Sequence, residues 1–165
     1  MDGSTGRAVY DVVATRPAAC KSRPVEGFGF ASELVVRFAE TDAQGVAHHA
    51  VYLVWFEQAR VDYLGRFDGG YPGLQEQGIE ALTLETYVRH LLPARFADRL
   101  RVNCRCLDLR GARFKFEYAV ERGDELLAEG WTTHACVDAE SFRPTRLPDW
   151  LAQAISAAEA GAKSK

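Results

Sequence analysis

The sequence predicts an α+β fold in which an antiparallel sheet wraps around one long helix. From His49 to Phe67 apolar residues recur at helical spacing and cover much of the circumference. From Leu82 to Val137 the chain reads as consecutive alternating strands joined by turn signals, which is the pattern of an antiparallel sheet. With 165 residues and no internal repeat, the chain has room for one core and no second domain.

Residues 1–32 are rich in Gly, Ala, Arg and Pro and hold no sustained period. They lack the apolar centre of a secretory signal, so they are expected to form a flexible extension that can be removed without loss of fold. The folded domain is expected over residues 33–160. Leu34, Val36 and Phe38 alternate with Arg37 as a short strand, and Glu40 to Gly45 follows as a loop. Gly45 suits an unusual backbone conformation there. In the helix, Tyr52, Phe56, Ala59, Tyr63 and Phe67 form the stripe, with Leu53 and Leu64 widening it. Gly69-Gly70-Tyr71-Pro72-Gly73 breaks the pattern, and Leu74 to Gly78 suits a helical turn.

Leu82 to Leu91 is expected to be extended. Leu100, Val102, Cys104 and Cys106 alternate with Arg101, Asn103 and Arg105; Phe114, Phe116, Tyr118 and Val120 alternate with Lys115, Glu117 and Ala119. Arg122-Gly123-Asp124 makes a hairpin turn. Leu127 to Val137 is a long strand with Trp131, Thr133 and Ala135 on one face, and Pro148 opens a short terminal helix through Trp150, Leu151 and Ile155.

A formal net charge of -3 gives no global basic field and no reason to expect a nucleic-acid partner. No apolar run reaches the length needed to cross a bilayer, so no membrane partner is expected. Cys20, Cys104, Cys106 and Cys136 have neither CxxC nor zinc spacing, which points to buried free thiols in a reducing cytoplasm and no metal.

The chemistry concentrates in Arg37 to Tyr52, where Asp42, His48 and His49 lie in a loop that feeds a helix N-terminus. Unpaired N–H groups and partial positive charge at that end can polarise a carbonyl, while Asp42 activates water or attacks. The residues alone leave a second reading open: Asp42 as an Asx or capping residue, and the histidines as hydrogen-bonding fillers.

The segments Glu40-Thr41-Asp42, Gly45-Val46, His49, Tyr52 and Phe56-Glu57-Gln58-Ala59-Arg60 resemble the signature of the 4-hydroxybenzoyl-CoA thioesterase family, including its Tol-Pal-associated short-chain branch. Pro93 to Asp98 and Leu126 to Gly130 are similar to later pieces of that family, so the resemblance spans about Leu34 to Ala157. It implies the hotdog fold, hydrolysis of an acyl-CoA thioester without a cofactor, and a homodimer or homotetramer with its sites between subunits. An acyl carrier protein is an alternative bearer of the thioester, and a non-catalytic thioester-binding protein is the alternative outside enzymes. By position, Asp42 matches the catalytic aspartate and His49 the residue whose N–H polarises the carbonyl. Gly45, Val46, His48 and Tyr52 fall beside the substrate, and Glu85 matches a pocket position facing the neighbouring subunit. Gln44 and Ala50-Val51 depart from the usual residues, which leaves the acyl group open. Arg95 and Arg113 belong to an Arg-rich stretch that either holds the CoA phosphates or faces water at alternating strand positions. Glu57 is expected to be solvated and His134 to be a satisfied core or interface histidine.

Overall fold

Strict alternation of apolar and polar residues gives each central strand one face to bury, and the sheet is assembled from those faces. In a computed structural model, residues 25–67 and 69–162 are described. The elements in order are β1 (Ala31–Val35), a 3-10 turn (Phe38–Glu40), α1 (Val51–Leu64), α2 (Gly70–Glu76), β2 (Ile79–His90), β3 (Arg99–Arg110), β4 (Arg113–Arg122), β5 (Glu125–Asp138) and α3 (Asp149–Ala162). The strands form one antiparallel sheet in the order β1-β3-β4-β5-β2. Register places Val102 opposite Val120, Cys104 opposite Tyr118 and Cys106 opposite Phe116, so the expected apolar positions of β3 and β4 line up on the same buried face. The architecture is the α+β hotdog arrangement, with α1 seated against the sheet.

One glycine fixes how deeply α1 sits. Gly130 of β5 pairs with Tyr118 of β4, and the Phe56 ring of α1 stacks on Tyr118 at 4.1 Å. A Cβ at Gly130 would meet the Tyr87 carbonyl oxygen at 2.3 Å and Phe56 Cε2 at 2.7 Å, so only hydrogen fits under the helix. The buried side of α1 is Tyr52, Trp55, Phe56, Ala59, Tyr63 and Leu64. Trp55 takes the place that the sequence reading gave to Leu53, which is 37% exposed. Leu53, Val54 and Val61 leave the outward side of α1 apolar and open within one chain.

The entry to α1 differs from the sequence expectation. β1 ends at Val35, and Phe38 is not a strand residue but lies exposed in the 3-10 turn. The cause is Glu40, which accepts hydrogen bonds from Arg37 N at 2.7 Å and from the Arg37 guanidinium at 2.8 and 3.0 Å, folding the chain back on itself. Trp55 Nε1 donates to the same carboxylate at 3.3 Å, tying the turn to α1. The N-terminal boundary also moves. β1 starts at Ala31; Phe30 packs edge-on against Tyr63 at 5.7 Å, and Gly27 O accepts from Arg105. Residues from Gly27 onward are therefore part of the domain, while residues 1–24, with Cys20, lie outside the described residues.

Among the other elements, α1 ends at Leu64 and not at Phe67, β2 runs Ile79–His90 and not Leu82 to Leu91, and α2 and α3 also differ in extent. α2 includes Gly70 to Gly73, because Pro72 falls in the first turn, where no helical N–H partner is needed. α3 is longer than expected: past Ile155 it is held by buried Glu159, which accepts from the Tyr63 hydroxyl and from Cys106 N. Cys104, Cys106 and Cys136 are buried free thiols. No helix among the described residues is long and apolar enough to cross a membrane.

Gly130→Ala should lower unfolding free energy by about 3 kcal/mol through overpacking against backbone; urea unfolding measures it. Glu40 gives a pH-dependent second test. Burial pushes its carboxyl up, but the Arg37 and Trp55 hydrogen bonds outweigh this and hold it below the usual carboxylate value. Its stabilisation is thus present at neutral pH and lost as pH falls through that lowered pKa. Glu40→Gln should cost about 1–3 kcal/mol at pH 7, and the difference from the parent should shrink as pH falls below the usual carboxylate range.

Candidate functional site

The turn that carries Asp42 is closed on both sides by backbone hydrogen bonds. Asp42 N donates to Val46 O and Gly45 N to Asp42 O, both at 2.9 Å, with Gly45 at φ +72°. That positive φ is why glycine stands there. The carboxylate is oriented by Gln44, whose backbone N donates to Oδ1 at 2.9 Å. The Gln44 side-chain amide, with its nitrogen turned toward the carboxylate, donates to both oxygens at 2.9 and 2.8 Å. Asp42 is only partly buried, so the carboxylate is fixed yet reachable.

Two neighbouring segments hold this turn in place. Ala47 N donates to Ala94 O at 2.8 Å, and Ala94 N donates to the Tyr52 hydroxyl at 3.4 Å. Arg95 Nη1 reaches Gly45 O at 3.4 Å. The Pro93–Asp98 turn is therefore stitched to the Asp42 turn and to the first helical turn of α1. His48 N donates to Glu40 O at 2.8 Å, and His48 Nδ1 accepts from Ala50 N at 3.2 Å, while no side chain caps the first turn of α1 itself. The exposed rings of His48 and His49 lie 4.1 Å apart. Among the described residues, no acceptor takes the N–H of His49, which lies just before the Ala50 cap of α1.

His90, at the end of β2, also belongs here and was not foreseen. Its ring stands edge-on to Tyr52 at 4.6 Å. Partial burial, with His49 nearby, lowers its pKa below the ordinary histidine value. Its only sequence signal was rarity, as one of four histidines.

Asp42, Gly45, Val46, His48, His49, Tyr52 and Arg95 are thus gathered at one end of the fold. Glu85 and Arg113 are not gathered with them within one chain. Arg122, at the far end of β4 from Arg113, bonds Asp98 at 2.6 Å beside the Asp42 end, so Arg113 lies about 30 Å along the strand. Glu85, Arg113, Thr133 and His134 line a separate cleft of about 460 Å³, where Glu85 accepts from Thr133 at 3.1 Å. His134 is a satisfied core histidine: Nε2 shares a 2.7 Å hydrogen bond with Thr132, and burial holds its pKa down at about 3. Glu57 is exposed. No group of three or more His, Cys, Asp or Glu among the described residues is placed to hold a metal ion.

The chain is similar to known proteins in sequence and fold. The profile of the Thioesterase-like superfamily matches residues 36–155. The acyl-CoA thioesterase YbgC of Haemophilus influenzae is 31% identical over 121 residues, covering 73% of this chain and 89% of that protein. A 1,4-dihydroxy-2-naphthoyl-CoA hydrolase of Synechococcus is 30% identical over 132 residues, covering 76% and 89%. Among solved structures, a thioesterase of Thermus thermophilus complexed with coenzyme A and Zn superposes with a TM-score of 0.70 at 28% identity, covering 82% of this chain and 97% of that one. The matched span takes in both the Asp42 turn and the sheet that carries it: the chain belongs to the Thioesterase-like superfamily.

Proposed function

We propose that this chain hydrolyses acyl-CoA thioesters, with Asp42 as the reacting carboxylate, and that it groups with the 4-hydroxybenzoyl-CoA thioesterases of the superfamily. The observation that carries the reading is the pairing of a reachable carboxylate, held by Gln44, with an unengaged N–H at His49 where α1 begins. The acyl-CoA names of the relatives support the substrate.

In the reaction, the thioester carbonyl oxygen takes the His49 N–H, and the N-terminal charge of α1 favours the oxyanion that forms. Asp42 either removes a proton from the attacking water or attacks the carbonyl carbon itself to give an anhydride that water then opens. In both routes the C–S bond breaks and the CoA thiolate leaves with the electron pair. Tyr52 and His90 shape the wall beside the carbonyl, while Arg95 holds the turn from the solvent side.

The working unit is a homodimer or larger assembly paired through β2. That strand is twelve residues long and stands at the sheet edge, with Leu82, Leu84 and Tyr87 38%, 48% and 46% exposed. A long open edge of this kind favours pairing with another strand. Twofold antiparallel pairing would bring the Glu85 and Arg113 end of a second copy toward the Asp42 end of the first. This accounts for those residues lying far from Asp42 in one chain.

Two outcomes are expected. Asp42→Asn should lower kcat about 10²–10⁴-fold while leaving Kd for the acyl-CoA near the parent value; turnover within a few-fold of the parent would make Asp42 a turn residue. Sedimentation should show a dimer or tetramer, and Leu84→Glu should weaken assembly and turnover together. A fully active monomer contradicts the interface.

A further inference from the structure

Two exposed aromatic rings mark the solvent side of the site. Phe38 is 76% exposed and Phe96 59% exposed, and they meet edge to face at 5.8 Å. They come from the two segments that build the Asp42 site: Phe38 from the 3-10 turn, four residues before Asp42, and Phe96 from the turn whose Arg95 bonds Gly45. Four residues of chain limit the Phe38–Asp42 separation to about 14 Å between Cα atoms. The two segments are locked to each other by Val36 N to Asp98 O and Ala97 N to Val36 O, each 2.9 Å. The pair is therefore a fixed platform.

The surroundings of that platform are cationic at the surface. Arg37 is turned outward, its charge met by the buried Glu40. Arg95 and Arg99 are exposed and make no ion pair among the described residues, and Arg99 pairs with Val35 at the start of β3. Asp98 is engaged by Arg122 and the Arg95 amide, which leaves exposed Glu33, at the β1 edge, and Asp42 itself as the opposing charges. An aromatic face beside guanidinium groups that have no ion-pair partner suits a purine base with attached phosphates. Bases stack on Phe rings without needing matched hydrogen bonds, and arginines take phosphate oxygens in pairs. The platform lies toward β1, away from the β2 edge left for a second copy.

We infer that the Phe38–Phe96 pair, with Arg95 and Arg99, receives the adenine nucleotide end of the CoA substrate. This rests on the Asp42 reading above. It separates the arginines of the Arg-rich stretch: Arg95 and Arg99 contact the nucleotide, whereas Arg113 does not do so within the same chain. It also favours CoA over a carrier protein, because a carrier presents the pantetheine arm without an adenine.

The test compares one acyl group carried by CoA and by pantetheine alone, with the parent, Phe96→Ala, Phe38→Ala and Arg99→Glu. Both phenylalanines are exposed, so the fold should survive. Each Phe variant should raise KM for the acyl-CoA roughly tenfold, the loss of one base–aromatic contact, and move KM for the acyl-pantetheine less than twofold. Arg99→Glu should raise KM for acyl-CoA and flatten its dependence on salt. Equal shifts on both substrates overturn the inference, as does a parent enzyme that treats the two alike. A Phe96→Ala protein with altered sedimentation would assign the pair to a contact between copies, and a loss confined to a thioester on carrier protein would assign it to that protein. Failure of the Asp42 reading is seen separately, as undiminished turnover by Asp42→Asn.

Discussion

The contact of Phe56 with Tyr118 above Gly130 is the constraint on which the rest depends. It sets the depth and direction of α1, and α1 sets everything at its N-terminus. Because the helix is seated there, Trp55 can reach Glu40, Tyr52 can reach Ala94, and His48 to Ala50 fall where the Asp42 turn ends. The Asp42 loop is short, yet it is rigid because it is clasped between α1 and the Pro93–Asp98 turn. A bulkier residue at Gly130 would act on the site through this chain of contacts as much as on the core.

The parts of the fold legible in the sequence are those decided by one-sided burial. Leu100 to Cys106 and Phe114 to Val120 alternate because one face meets α1 and the other does not. The end of the Phe38 strand was not legible in the same way. Val36-Arg37-Phe38 alternates as a strand would, but the Arg37–Glu40 hydrogen bonds turn the chain, and alternation carries no sign of them. Trp55 is buried because a carboxylate fifteen residues earlier accepts its N–H. The length of α3 depends on Glu159 meeting Tyr63 and Cys106, contacts 96 and 53 residues apart in sequence.

The site divides along the same line. Asp42, Gly45, His48, His49 and Tyr52 are close in sequence, and one loop-to-helix junction brings them together. His90 joins them only because β2 ends beside α1, a consequence of strand order. Glu85 and Arg113 look like site residues in sequence but sit at the other end of the sheet, where only a second copy could unite them with Asp42.

The account centres on a thioester carbonyl placed between Asp42 and the start of α1. The most direct measurement is a crystal structure of Asp42→Asn with an intact acyl-CoA bound. The carbonyl oxygen should lie about 2.7–3.1 Å from His49 N, and the carbonyl carbon about 3–3.5 Å from the residue 42 side chain or from a water that it holds. An acyl-CoA whose thioester lies away from both groups, whether in the Glu85–Arg113 cleft of the same chain or on the outer sheet face, would contradict it.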